Sequence, residues 1–211
     1  MLKGGADITI GAGQAGTDYL TSINIKVPSR SEGRKNWHRE RYCIVMLLRH
    51  LAKHRPELFP AKLRWQDSPD FQLWLGGANT SIAIEHTDAS RYEYQRRLDK
   101  FSEGHSGHFK SFGTDLQGSD AEKVLADDIE AAIHRKSLEK VWRRAPLGSA
   151  RVLLLYELSE GGEWLNDDDT LTILGNIVDR LSACTRLATV VLVRGNGTVV
   201  QASPKGERAI L

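Results

Sequence analysis

Long apolar runs are missing from this sequence. The longest, RVLLLYEL at residues 151–158, falls far short of the about 20 residues needed to span a bilayer. No charged start followed by a hydrophobic stretch opens the chain, so no secretory signal is expected and a cytoplasmic protein is. Cysteine is scarce. Cys43 and Cys184 both sit in apolar periodic segments and read as two reduced, buried thiols rather than as a disulfide. Excess charge of either sign is also absent, since 29 basic and 27 acidic residues leave a net +2. That balance neither demands nor excludes a nucleic-acid partner. No P-loop, G-x-S-x-G or H-E-x-x-H pattern occurs, which removes the common NTPase, serine hydrolase and zinc protease mechanisms.

What is present suffices for a globular core. A chain of 211 residues that is 40% hydrophobic fits one domain, with or without an extension, and 27% charged residues is an ordinary globular share. Charge is nevertheless clustered. RSEGRKNWHRERY (30–42), RYEYQRRLDK (91–100) and HRKSLEKVWRR (134–144) interleave Arg and Lys with aromatics. Each alone is explained as a solvated helix face, but three together suit a phosphate backbone.

Residues 1–33 are rich in Gly, Ser and Thr. They contain a formal G-x-G-x-x-G (Gly11, Gly13, Gly16) after a strand-like DITI. A dinucleotide site needs a full crossover helix and a second strand ending in an acid. Only TDYLTSIN intervenes before Pro28, so the segment reads instead as an arm, flexible or ordered by a protein partner or a second copy of the chain. From Arg34 to His54 apolar residues recur at helical spacing among charges. KLRW (62–65), DFQLWL (70–75) and SIAIEHT (81–87) read as strands, the last two joined by a Gly76-Gly77-Ala78-Asn79 turn. A polar helix is expected over 89–101, then a Gly/Ser/His loop over 102–120. In that loop His105 and His108 make only a weak zinc signal, without a Cys or a further His close by. A long helix is predicted from Ala121 to Arg144, then a buried strand (151–158), a helix over TLTILGNIVDRLSAC and a last buried strand, ATVVLVRG. The expected fold is α/β, with helices flanking a mixed central sheet, one domain over residues 34–211 built as an αβββαβ core plus one further helix–strand unit.

The hairpin carries the chemistry. Pairing 70–75 with 81–87 across the Gly-Gly turn sets Asp70 beside Glu85. Glu85 and Thr87 share one face of their strand, and His86 takes the other. Two carboxylates so close repel, and a divalent cation with hard oxygen preferences, Mg²⁺ or Mn²⁺, relieves that. The same acids read singly are ordinary: a turn cap after Pro69 and an acid at a strand end. On the following helix Leu125, Ile129, Ala132 and Lys136 fall on one stripe, with Lys140 one turn on. Both lysines either join the acids or snorkel to solvent.

With these residues the sequence resembles the PD-(D/E)XK nuclease superfamily, whose fold is that of restriction endonucleases. Pro69-Asp70 matches its PD, Glu85-His86-Thr87 stands at its (D/E)-X-K, and the helix, three-strand, helix, strand order matches its core. Glu40 matches an acid that the family often carries on its first core helix as a further metal ligand. The resemblance covers residues 34–158. It implies a metal-dependent nuclease acting on phosphodiester bonds, of DNA more than RNA, with Asp70, Glu85 and Glu40 binding Mg²⁺ or Mn²⁺. Thr87 departs from the pattern, since it occupies the place of the family's lysine; its hydroxyl could hold a water or a phosphate oxygen, or be plain strand. Some branches move the lysine to a nearby element, which points to Lys136 or Lys140. Arg91, Arg96 and Arg97 would hold the nucleic-acid backbone, and Gln95 would face the site or the surface. The alternative is a module that keeps this fold, has lost catalysis, and binds nucleic acid or a protein.

Overall fold

The computed structural model of the chain describes residues 7–28, 32–90, 118–137, 140–158, 161–206 and 211. Among the described residues seven strands form one sheet in sequential order: β1 (Asp7–Ile10), β2 (Ala61–Trp65), β3 (Phe71–Leu75), β4 (Ile82–Ala89), β5 (Ala150–Glu157), β6 (Thr189–Val193) and β7 (Val199–Ala202). β4, β5 and β6 run parallel, and every other neighbouring pair is antiparallel. The described helices are α1 (Gly13–Ser22), α2 (Asn36–His54), α3 (Gly118–Ser137) and α4 (Asp167–Thr185).

The sequence dictates this layering through its two periodicities. Parallel strands need long crossovers, and α3 and α4 lie in the connections β4–β5 and β5–β6. A parallel strand covered on both faces must be apolar throughout, as VLLL in β5 and VVLV in β6 are. Leu154, Val152, Val191 and Ile84 pack under α2, whose Cys43, Ile44, Leu47, Leu48 and Leu51 form its buried stripe. Leu153, Leu155, Val190 and Ala83 pack under α3 and α4 on the other face, against Leu125, Ile129, Leu174 and Ile177. The expected α/β architecture is therefore present, including the helix, three-strand, helix, strand order from α2 to β5.

Several boundaries differ from the sequence reading, each for a physical reason. Residues 7–28 do not form a separate arm. β1 pairs with β2 from Asp7↔Arg64 to Ile10↔Ala61, Ile10 and Leu20 enter the core, and the Arg49 guanidinium of α2 donates to the carbonyls of Leu20 and Thr21. Gly16 serves backbone packing, since a Cβ there would lie 2.0 Å from the Gly11 carbonyl oxygen, and Gly13 takes a positive φ of 63°. The long helix stops at Ser137 rather than running to Arg144; a 3₁₀ turn, Lys140–Arg144, follows. Trp142 explains the stop, because its buried indole donates from Nε1 to the Lys136 carbonyl at 3.0 Å and takes up a group that the helix end leaves free. β7 escaped the sequence reading because only four residues, VVQA, mark it. Cys43 is buried as expected, whereas Cys184 is exposed, since the buried stripe of α4 runs through Leu174, Ile177, Val178 and Leu181. Of the helix expected at 89–101, Ala89 instead ends β4 and Ser90 is a bend, and of the loop expected at 102–120, residues 118–120 already open α3; the rest of both, with His105 and His108, lies outside the described residues.

Below β5 and β6, Arg194 ties the sheet to the start of α4. It donates to Glu157 Oε2 (2.9 Å), Asp167 Oδ1 (2.5 Å) and the carbonyls of Gly162 (2.6 Å) and Leu165 (2.8 Å). Glu157 and Arg194 are both buried, and four acceptors offset the desolvation of the guanidinium.

Candidate active site

The site arises where the sheet splits. β3 pairs with β4 only from Phe71↔Ile84 to Leu73↔Ile82, whereas β4 pairs with β5 along its whole length, through Ala89↔Glu157. Before Phe71 the chain bends toward β2, and Gln66 N–H closes that bend on the Asp70 carbonyl at 2.9 Å. Among the described residues the β3-side edge of β4 is thus left without a strand partner from Glu85 onward. The Asp70 side chain fills the gap: Oδ2 accepts the His86 backbone N–H at 2.7 Å, and Asp70 N–H donates to Glu85 Oε2 at 3.3 Å. The register is the one the hairpin pattern requires, and it places the two acids side by side.

Glu85 is 3% exposed and shares its sheet face with Ala83, toward α3. Lys136, on the last turn of α3, reaches Glu85 Oε1 at 2.9 Å. A buried carboxylate needs such a counter-ion, and the helical stripe supplies it. Three of the four carboxylate oxygens thereby have partners, and Asp70 Oδ1 has none among the described residues. One ammonium does not balance two acids. The Asp70 carboxyl is pushed up from its ordinary 3.8 to about 7, chiefly by burial and then by the negative charge of Glu85, with a smaller contribution from Glu40. The His86 N–H and the Lys136 ammonium pull the other way.

A cavity of about 270 Å³ opens over this pair and is lined also by Glu40, Arg39 and Asn36 of α2 and by Thr87 and Asp88 of β4. Glu40 therefore lines the same cavity as the acid pair. Among the described residues, however, no group of three or more His, Cys, Asp or Glu side chains converges as a metal site, so Glu40 stands on the wall without completing a three-acid set. The reason is topological: α2 covers the face of the sheet opposite to α3. Asp70 and Glu85 remain the pair whose hard oxygens fit a divalent cation, which is held in many sites by one or two carboxylates plus water and substrate phosphate.

Thr87 is on the Glu85 face, where its hydroxyl accepts from the Arg135 guanidinium at 3.2 Å. Arg135 also donates to the Asp88 carbonyl at 2.9 Å. On the α2 face Arg39 forms an ion pair with Asp88, two residues beyond the half-buried His86. Burial lowers the His86 pKa to about 4, so the ring is neutral at physiological pH, and its Nε2 has no hydrogen-bond partner among the described residues. Sequence reasoning missed Arg39, Asp88 and Arg135. Arg135 adjoins Lys136, but only the position of the helix end against β4 reveals that both cations reach that strand. Lys140 opens the 3₁₀ turn beyond α3 rather than a further helical turn, and its side chain is outside the described residues. Arg91, Gln95, Arg96 and Arg97 fall within 91–117, also outside them. No described helix is long and apolar enough to cross a membrane.

In comparisons with known proteins, no family model matches this chain, and no significant match was found to a curated protein or to a solved structure.

Proposed function

We propose that this protein is a metal-dependent nuclease of the PD-(D/E)XK type that hydrolyses phosphodiester bonds, of DNA rather than RNA. The observation that carries the proposal is the Asp70–Glu85–Lys136 cluster at the split between β3 and β4, where a paired acid site meets an ammonium delivered from a different element. Mg²⁺ or Mn²⁺ bound there supplies Lewis-acid polarisation of the scissile phosphate and a more acidic bound water. Asp70 and Glu85 would hold the cation, with Glu40 on the cavity wall adding negative potential. Lys136 carries the charge that the family pattern assigns to the position of Thr87, and it can stabilise the negative charge that develops on the phosphate. Arg135 holds Thr87 and the end of β4 in place through its two hydrogen bonds.

The test is cleavage of plasmid and linear DNA with Mg²⁺ or Mn²⁺ by the native protein beside Asp70→Ala and Lys136→Ala. Cleavage that needs metal and is lost in both variants supports the reading; equal cleavage by native protein and Asp70→Ala refutes it. One observation favours a second reading, a module that binds without cutting: the Lys136 ammonium is already committed to Glu85 at 2.9 Å. That reading requires calorimetry to give no heat with Mg²⁺ and the native protein to cleave nothing.

A further inference from the structure

Arg135 and Lys136 bring the first cations of the basic segment 134–144 against β4, but its last two, Arg143 and Arg144, have no part in the site described above. Both are exposed, and among the described residues neither makes an ion pair or a side-chain hydrogen bond. The 3₁₀ turn that carries them is fixed at each end. Trp142 Nε1 donates to the Lys136 carbonyl at 3.0 Å, and Ala145 N–H closes the turn on the Trp142 carbonyl at 3.2 Å. Past the turn the Ser149 and Ser81 hydroxyls meet at 3.0 Å, beside the start of β4. The backbone that presents both arginines is thereby tied to the end of α3 and to the strand of Glu85.

A third cation stands on the same side. Arg151 is the partner of Ala83 in the parallel β4–β5 ladder, so it shares the sheet face of Glu85, which lies two residues, about 7 Å, farther along β4. Its guanidinium is 5.8 Å from the centre of the buried Trp142 indole, within cation–π range. Arg151 is half-buried, yet among the described residues no carboxylate pairs with it. Arg39, Arg64, Arg180 and Arg194, by contrast, each have a carboxylate partner. A guanidinium drawn partly out of water carries a desolvation cost, and its free N–H donors match a phosphate.

We infer that Arg143, Arg144 and Arg151 hold the sugar–phosphate backbone of duplex DNA on the α3 side of the acid pair. The inference rests on the nuclease reading for the nature of the polyanion. Lys136 is engaged with Glu85 at 2.9 Å, so anchoring the strand falls to cations that have no acid of their own. Arg151, nearest in register to Glu85, takes a phosphate close to the scissile one, and Arg143 and Arg144 take phosphates farther along. Contacts to phosphate fix position and carry no sequence information, so this surface decides where a strand lies and not which sequence is cut.

The experiment measures binding without turnover. A fluorescein-labelled duplex of about 20 base pairs, two turns of B-DNA, is titrated with protein in EDTA at several salt concentrations. The double variant Arg143→Ala/Arg144→Ala is expected to lose about tenfold in affinity and to flatten the dependence of log K on log salt by about 1.8, the value for two phosphate contacts on a duplex. Arg151→Met, which keeps apolar contact with Trp142, flattens it by about 0.9. The control Lys53→Ala/Lys123→Ala removes the same charge from exposed positions at the end of α2 and near the start of α3, and leaves the slope unchanged. Circular dichroism checks that each variant is folded. An unchanged slope in the folded arginine double variant overturns the inference, as does an equal loss in the lysine control or a native protein that binds no duplex. Metal-dependent cleavage by a native protein whose binding is insensitive to the arginine changes removes this inference and leaves the nuclease reading standing. The expected losses of affinity in a protein that cleaves nothing do the reverse.

Discussion

Replacing Asp70 by Asn should stabilise the metal-free protein above neutral pH and have little effect in acid. The reasoning follows from the charge of the site. Burial and the Glu85 carboxylate raise the Asp70 pKa from 3.8 to about 7 in the folded protein. Between those two values the folded state holds a proton that the unfolded chain has released, so stability contributed by this group is complete below about pH 4 and falls as pH rises through about 7. A displacement of that size corresponds to about 4 kcal/mol at ~1.4 kcal/mol per pH unit, and local relaxation and water in the cavity reduce it to about 2 kcal/mol. Asn keeps an acceptor for the His86 N–H at the place of Oδ2 but carries no charge. Urea unfolding in EDTA should therefore give a difference between variant and native protein that grows by about 2 kcal/mol from pH 4.5 to pH 8.5, with an unchanged m-value. Divalent cation should stabilise the native protein at pH 8.5 and not the variant, because binding to the folded state alone raises stability. A difference that stays flat across this range would refute the account of Asp70 as a strained, partly desolvated acid.

Other perturbations test neighbouring parts of the structure. Lys136→Met leaves Glu85, 3% exposed, without its counter-ion, so the metal-free protein should lose about 3 kcal/mol in urea titrations while cleavage disappears. Calorimetry should then show Mn²⁺ binding more tightly to this variant than to the native protein, because no ammonium competes for Glu85 Oε1; weaker binding would contradict the competition. Trp142→Phe removes the Nε1–H to Lys136 carbonyl bond and should cost about 1 kcal/mol in thermal melts, with a fall in kcat larger than any change in KM. Arg194→Met should destabilise by about 3–5 kcal/mol because the buried Glu157 loses the guanidinium paired with it, and Gly162→Ala should fail similarly, since its Cβ would fall 1.2 Å from Glu157 Oε1. Gly16→Ala, whose Cβ would meet the Gly11 carbonyl oxygen at 2.0 Å, should lower the unfolding midpoint and speed hydrogen exchange in α1 before the rest of the chain.

Local sequence determined a large part of this protein. The alternation of DFQLWL and SIAIEHT about a Gly-Gly turn settled the hairpin register, and with it the neighbourhood of Asp70 and Glu85, because register in a hairpin is a property of adjacent residues. The apolar runs in β5 and β6 declared strands covered on both faces, and the stripe Leu125, Ile129, Ala132 carried Lys136 toward the sheet. Tertiary structure decided what depends on distant segments meeting. Whether Lys136 reached Glu85 or solvent depended on where α3 ends, and the indole of Trp142 ends it. Whether Gly11, Gly13 and Gly16 belonged to an arm or to the domain depended on β2 offering an edge to β1, which no window around residue 10 contains. Glu40 lies on the same cavity as the acid pair but on a helix covering the opposite face of the sheet, so its spacing in sequence could not say how near it comes. Contacts within a hairpin or a helix turn are written in neighbouring residues, whereas contacts between layers depend on the packing of the whole chain.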